Sequence, residues 1–256
     1  MKWSDLDGVS PFRERAEVYA KARPSYPETA VQFIFTETAG PARGVIVDVG
    51  AGTGIGASLL AGHGRPVIGV DPNLEMVRAA TPEAGVFLMA GRAERLPLKN
   101  ATASLMTSFN AFHWFQPELF FAEAYRVIEP AGSLALVWND WDLTDPFTAR
   151  FVRLMRSAAP DLPPEDREAE VKPLFATRFF RNIRRASFEN VHELEPDGLR
   201  LRLQSVSYVP RSGAEWDRLS RELNSLVERF ADENGRLRHR YHTSVFVAER
   251  CGDPAV

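Results

Sequence analysis

Apolar positions along this chain fall into short continuous runs, separated by stretches in which they recur every three to four residues. That alternation predicts strands and helices in turn. Val45–Gly56, reading VIVDVGAGTGIG, is apolar apart from Asp48 and then becomes largely glycine. It reads as a buried parallel strand delivering its carboxyl end to a loop where backbone approaches a ligand closely. A helix follows at Ile55–Ala61, then a strand at Pro66–Val70, a helix at Leu74–Ala80 and a strand at Val86–Ala90. Ser104–Phe109 is a fourth strand, followed by the aromatic turn Phe112–Phe115. Pro117–Ile128 is a helix ended by Pro130–Gly132, and Ser133–Trp138 is a fifth strand. Strands alternating with helices predict a parallel sheet covered on both faces.

Ahead of this region, Pro11–Ala22 reads as a short amphipathic helix stopped by Arg23–Pro27, because a residue preceding proline is pushed out of helical geometry. Glu28–Thr38 resumes a helical pattern with Val31, Phe33, Ile34 and Phe35 on its apolar side. After Trp138 the rhythm breaks. Pro146–Ala159 reads as a helix, Pro160–Pro164 as a linker, Lys172–Asn182 as a helix and Ser187–Leu194 as a strand. Leu199–Tyr208 fits either element, Ala214–Glu233 is a long amphipathic helix, and Ser244–Ala248 a closing strand. The pattern predicts one domain over 1–256, with N-terminal helices at 11–40, a core at 41–141, an elaboration at 142–240, and a closing strand and tail at 241–256.

Composition changes this picture little. A chain of 256 residues with 45% hydrophobic and 25% charged positions is ordinary for a soluble globular protein. The net charge of −3 shows no basic excess of the kind that marks a nucleic-acid surface. The one cysteine, Cys251, fits a reducing compartment. No apolar run reaches the roughly 20 residues that span a bilayer. The charged N-terminus lacks a signal-peptide core. The expectation is a cytoplasmic protein with no nucleic-acid, membrane or metal partner.

The glycine loop suits either a dinucleotide or an adenosine-bearing ligand without phosphate. Read from Gly52, the chain matches G-x-G-x-x-G/A through Gly54 and Ala57; read from Gly50 it fails at Ile55. Asp48 shifts the balance. A carboxylate two residues before Gly50 repels a pyrophosphate but suits a ligand bearing an ammonium group, as S-adenosylmethionine does. Asp71 ends the second strand, about 20 residues on, where a carboxylate meets ribose hydroxyls. The plainer reading of both acids is that Asp48 caps the turn and Asp71 starts the next helix.

With these residues in place the chain resembles the class I S-adenosylmethionine-dependent methyltransferases, and within them the type 11 branch that includes trans-aconitate methyltransferases. Tyr19, Arg23-Pro24 and Tyr26-Pro27 are similar to that branch's lead-in. VDVGAGTG, GVDPN, Ala93–Leu98 (AERLPL), Phe109–Phe115 (FNAFHWF), the helix end Tyr125–Ile128 with Pro130 and Gly132, and Leu136–Asp140 (LVWND) follow in order. The resemblance implies a Rossmann-like, seven-stranded, mostly parallel α/β sheet with an N-terminal lid helix and a helical elaboration late in the chain. It implies S-adenosylmethionine as cofactor and a small-molecule acceptor. By position, Gly50, Gly52 and Gly54 would line the methionine portion, Asp48 would lie near its amino group, and Asp71 with Pro72 would hold the ribose. Ala93 and Glu94 would meet the adenine, with Arg92 where the family often has an acid. Asn110 would face the sulfonium, while Tyr19 and Arg23 would close over the cofactor, Arg23 pairing its carboxylate.

Methyl transfer from a sulfonium needs the acceptor brought into line and water excluded; a base is needed only when the acceptor is protonated. His113, after the fourth strand, is either that base or a residue that fixes the loop together with Trp114. Trp138, Trp141 and Phe147 lie where an acceptor pocket belongs, and are equally suited to a core. Arg178, Arg181, Arg184 and Arg185 recur near helical spacing, and either favour an anionic acceptor such as a carboxylate or form a solvated face. His63, His192, His239 and His242 read as surface residues. The competing functions are an NAD-dependent oxidoreductase and a non-catalytic S-adenosylmethionine-binding protein of the same fold.

Overall fold

The computed structural model describes residues 22–38, 44–80, 83–161, 166–206 and 208–252. The helix expected at Pro11–Ala22, with Tyr19, lies outside them except for its last residue. In chain order the described elements are α1 (Glu28–Glu37), β1 (Val45–Val49), α2 (Ile55–Ala61), β2 (Val67–Asp71), α3 (Leu74–Ala79) and β3 (Val86–Ala90). Next come β4 (Ala103–Phe109), a 3₁₀ turn (Phe112–Trp114), α4 (Pro117–Val127) and β5 (Ile128–Trp141). Last are α5 (Pro146–Ser157), α6 (Arg167–Ala176), β6 (Phe180–Leu194), α7 (Pro196–Gln204), α8 (Gly213–Phe230) and β7 (Leu237–Arg250).

The strands form one seven-stranded sheet in the order β3-β2-β1-β4-β5-β7-β6. The first five run parallel, and β7 is antiparallel to both β5 and β6. The expected Rossmann-like, mostly parallel architecture is therefore the observed one. Successive side chains of a strand point to opposite faces, and both faces here are dry. Val47, Val49, Leu134, Leu136 and Trp138 pack with Phe120, Phe121 and Ala124 of α4 and Leu174 of α6. Ile46, Ala135, Val137, Val245 and Val247 pack with Val31 and Ile34 of α1 and Leu60 of α2. The order reverses between β1 and β4, and the carboxyl ends of those strands open onto the site, as expected at such a switch point.

A third cluster joins Phe151 and Met155 of α5, Leu199 and Leu203 of α7, Leu219 and Leu223 of α8, and Leu237 of β7. This is the late elaboration, and Trp141, Val206 and Tyr208 of the cluster reach the cavity described below.

Two sequence expectations fail here for one reason. Lys172–Asn182 is not a helix throughout: α6 ends at Ala176 and β6 starts at Phe180. The register of β6 shifts between Arg181 and Arg184, and Asn182 takes a φ of 50°. A bulge adds a residue to the strand, so Phe180 and Ile183, three apart, reach the same apolar cluster and imitate helical spacing. Arg178, Arg181, Arg184 and Arg185 thus sit before and on an edge strand. Likewise β5 runs from Ile128 across a register shift near Ala131, at φ 63°, instead of starting cleanly at Ser133. Leu199–Tyr208, open in the pattern, is helical to Gln204.

Candidate active site

The site grows from the end of β1. Gly50 has a φ of 71° and Gly52 of 56°, both in the left-handed region where a Cβ is strained. A Cβ on Gly50 would stand 2.4 Å from Ala111 Cβ and 3.1 Å from Phe115 Cζ, so the loop lies directly against the β4–α4 connection. Beside Gly52 only Met76 comes within range, at 3.4 Å, and the space there is otherwise open.

Asp71 holds this loop. Its Oδ2 accepts the Gly52 N–H at 2.8 Å and its Oδ1 accepts the Asn73 N–H at 2.8 Å. Burial pushes the Asp71 carboxyl up, opposed by those two backbone donors. Asn73 caps α3 through the amides of Glu75 and Met76.

Asp48 does something different. It shares the face of β1 that carries Ile46, so it points beneath α2. It accepts a hydrogen bond from Thr107 Oγ1 at 2.8 Å and one from the Ala57 backbone N–H, and is almost wholly buried. Burial, reinforced by the nearby Asp71 charge, raises its pKa to about 7. The structure places Asp48 under the loop and off the cavity wall, which corrects the expectation that it lies beside the ligand. Period-two alternation sends it inward. Gly54 is corrected too. It is the N-cap of α2, at φ 86°, and its α-carbon faces Leu88 instead of the cavity.

A cavity of about 780 Å³ opens over this loop, within the range of small-ligand sites. One wall is Gly50–Thr53, Asp71, Pro72, Asn73 and Ala93–Glu94; another is Asn110, His113 and Trp114; a third is Trp141, Arg202 and Tyr241, with Arg23 and Arg167 also on the lining. Asn110, at φ 49°, turns the chain after β4; its Oδ1 accepts the Asn139 N–H at 2.9 Å. Asn139 Nδ2 and Asn190 Nδ2 both donate to Ser25 O, at 3.2 and 2.8 Å, tying the Arg23–Pro27 segment to the sheet. Glu94 Oε1 accepts the Gln116 N–H at 3.0 Å and so fixes the start of α4.

His113 is half-buried on this wall, and its pKa is pushed down to about 3 by desolvation and by the charges of Arg167 and Arg23. It is a neutral imidazole at any physiological pH, a weak proton acceptor. Arg167 is itself neutralised, by Asp140 at 2.7 Å and by Glu170, and its guanidinium stacks 4.6 Å over the Trp138 ring.

The match of sequence to fold is wider than this loop. Residues 47–136 match the methyltransferase-domain family. The chain carries a methyltransferase domain. An uncharacterized methyltransferase-like protein of Schizosaccharomyces pombe is 28% identical over 249 residues, covering 94% of this chain and 96% of that one. An uncharacterized methyltransferase of Mycobacterium bovis is 34% identical over 145 residues, little more than half of either chain (56% and 57%). Among solved structures, a putative type II methyltransferase from Anaeromyxobacter dehalogenans superposes with a TM-score of 0.63 at 24% identity, over 91% of this chain and 98% of that one. A putative methyltransferase of an antibiotic biosynthesis pathway in Anabaena variabilis gives 0.64 at 19%, over 88% and 98%. These two likenesses are of fold.

The residues present fit the methyltransferase's cofactor. Gly52 leaves open space beside the loop, a largely buried carboxylate at Asp71 lies on the cavity lining, and Met76 and Ala93 offer apolar flanks. Trp138 is not on the cavity wall: fully buried between Phe112 and Phe246, it backs Arg167. Phe147 is core, stacked on Phe151. The arginine cluster is absent from the wall as well; Arg184 pairs with Glu37 at 3.0 Å and Glu249 at 2.8 Å, and Arg185 lies over Phe246. Nor are all the other histidines at the surface. His239 is fully buried, with Nδ1 2.8 Å from Tyr241 Oη, and His192 is half-buried with its pKa pushed down to about 4. His63 and His242 are paired near the surface with Glu28 and Asp142.

Sequence reasoning missed Arg167, Arg202, Tyr241 and the side-chain hub at Asn139. For Tyr241 a signal existed: Leu237, His239, Tyr241 and Thr243 alternate with Arg238, Arg240 and His242, so one face of a strand is buried.

Proposed function

We propose that the methyltransferase acts on a small-molecule acceptor through an oxygen nucleophile that is already ionised at neutral pH, such as a carboxylate. The observation that carries this reading is His113. It is the one imidazole on the described cavity wall, and with its pKa pushed down to about 3 it is too weak a base to take a proton from an alcohol. An ionised carboxylate needs no base. The cavity's size, with Arg202 on its lining, suits a compact, negatively charged acceptor.

In this reading Gly50 and Gly52 carry the methionine portion of the cofactor, Asp71 and Pro72 the ribose, and Ala93 and Glu94 the adenine. Asn110 and His113 border the reacting centre, and Arg23 closes over the carboxylate end. Residues 41–141 serve the donor, and 142–240 shape the acceptor pocket. When bound, S-adenosylmethionine would supply an activated methyl carbon, which the acceptor oxygen would take by its lone pair while the C–S electron pair stays on sulfur. The chain's part is to hold the acceptor in line, with His113 and Trp114 fixing its orientation, and to keep water out. Methyl-labelled S-adenosylmethionine incubated with the protein and pooled small organic acids tests it. A carboxyl methyl ester releases labelled methanol in mild base. Label retained in a base-stable product refutes the carboxylate reading.

A further inference from the structure

Arg202 is the least explained charge in the described part of the molecule. It lies on α7, whose buried face is Leu199, Arg202 and Leu203, so the guanidinium stands where the helix period calls for an apolar residue. Only 2% of it is exposed, yet it lines the cavity. Its Nη1 donates to Ser205 Oγ at 3.3 Å, and its buried Nε has no hydrogen-bond partner. Among the described residues no carboxylate pairs with it, in contrast to Arg167, which meets Asp140 and Glu170. Its charge acts on His192 and His239, both held neutral, so neither offsets it. A buried, unneutralised guanidinium is strongly unfavourable, and a leucine or methionine would fill the same position more stably. Retaining it makes sense when a ligand brings the counter-charge. The Nε–H and an adjacent Nη–H form a planar fork that matches the two oxygens of a carboxylate.

We infer that Arg202 anchors a carboxylate of the methyl acceptor, one that is held and not methylated. This rests on the methyltransferase reading of the cavity. The wall formed by Arg202, Tyr241 and Trp141 is separate in the chain from the glycine loop that serves the donor. A guanidinium clamped on an oxyanion also withdraws the electron density that a nucleophile needs. The acceptor class is therefore a molecule with two functions, a nucleophilic oxygen and a separate carboxylate. Arg202 sets its specificity.

Full-length wild type, Arg202→Met and Arg202→Lys, each saturated with S-adenosylhomocysteine, are titrated by calorimetry and thermal shift with acetate, malonate, succinate and glutarate. At least one of these carboxylates is expected to bind the wild type. Arg202→Met should bind it about tenfold or more weakly, while S-adenosylhomocysteine affinity stays unchanged. Without ligand, Arg202→Met should melt at or above the wild-type temperature, because the unneutralised charge is gone. A merely structural arginine would lower it. Arg202→Lys keeps the charge without the fork and should fall between the two; it also carries the comparison if the methionine variant does not fold. Equal binding in all three proteins, or no binding of any carboxylate to the wild type, overturns the assignment. Failure of S-adenosylhomocysteine to bind the wild type is a separate result, and it removes the placement of the donor instead.

Discussion

Asp71→Asn isolates what one carboxylate contributes to the cofactor loop. In the wild type each oxygen of Asp71 accepts a backbone N–H at 2.8 Å, one from Gly52 in the loop and one from Asn73 at the start of α3. Asparagine keeps the shape, but one of its two terminal atoms becomes an NH₂ that cannot accept, so one of the two bonds is lost whichever way the amide turns. Hydrogen bonds to charged acceptors are worth about 1.5–3 kcal/mol. The same substitution halves the acceptor capacity offered to a ribose. If the loop must be closed to hold its ligand, that loss is expressed in binding. At about 1.4 kcal/mol per decade, S-adenosylhomocysteine should bind about 10- to 100-fold more weakly. Calorimetric titration of purified wild type and variant measures this directly. Circular dichroism melting serves as the control, since the sheet and the three apolar clusters are untouched. Affinity within about twofold of wild type would falsify both the ribose assignment and the loop-anchoring role.

Other consequences follow from groups already placed. Asp48, at a pKa of about 7 against 3.8 unperturbed, binds its proton more tightly when folded; its stabilising contribution is complete below about 3.8 and is lost as pH rises through 7. Between pH 5.5 and 7.5 wild type should lose about 2 kcal/mol relative to Asp48→Asn, read by urea unfolding. The depressed His113 and His192 change stability in the opposite sense below 6.5, but equally in both proteins; a difference that does not vary with pH rules the Asp48 shift out. Because His113 stays neutral above about 3, methyl transfer should show no ionisation between pH 6 and 8 that His113→Gln abolishes; a lost limb with a pKa near 6.5 would restore the general-base role. Gly56→Ala, normally stabilising in a helix by up to about 1 kcal/mol, should here destabilise by about 1–3 kcal/mol. Its Cβ would stand 2.4 Å from Phe109 Cδ2, and a raised melting temperature would show that Phe109 moves aside freely.

Much of the donor half was legible in the linear pattern. Val45–Val49, Gly50, Gly52, Asp71 and Asn110 announce themselves because a buried strand, a left-handed turn and a strand-end acid each restrict residue type locally. What one chain segment does to itself is written in its own spacing. Direction is harder. Asp48 and Gly50 are two residues apart, yet one lies beneath α2 and the other lines the cavity, because β1 ends at Val49 and Gly50 turns into the left-handed region. Whether a residue type is compatible with a site also says nothing of its partners. His113 looked suited to general-base work until burial and two arginines, 90 residues upstream and 54 downstream, depressed its pKa.

The later part of the chain shows the opposite balance. The LRLRL run at Leu199–Leu203 alternates like a strand and equally suits a helix, and nothing local says that its second arginine is buried. Only the packing of α7 with α5 and α8 over β7 brings Arg202 onto the same cavity as Gly50, about 150 residues earlier. The bulge in β6 likewise turned an edge strand into an imitation of a helix and drew attention to the wrong arginines. Sequence by itself determined the sheet, the glycine loop and the methyl donor, since short-range steric rules act there. The tertiary structure alone decided which charges line the cavity, because burial and pairing are set by segments far apart in the chain.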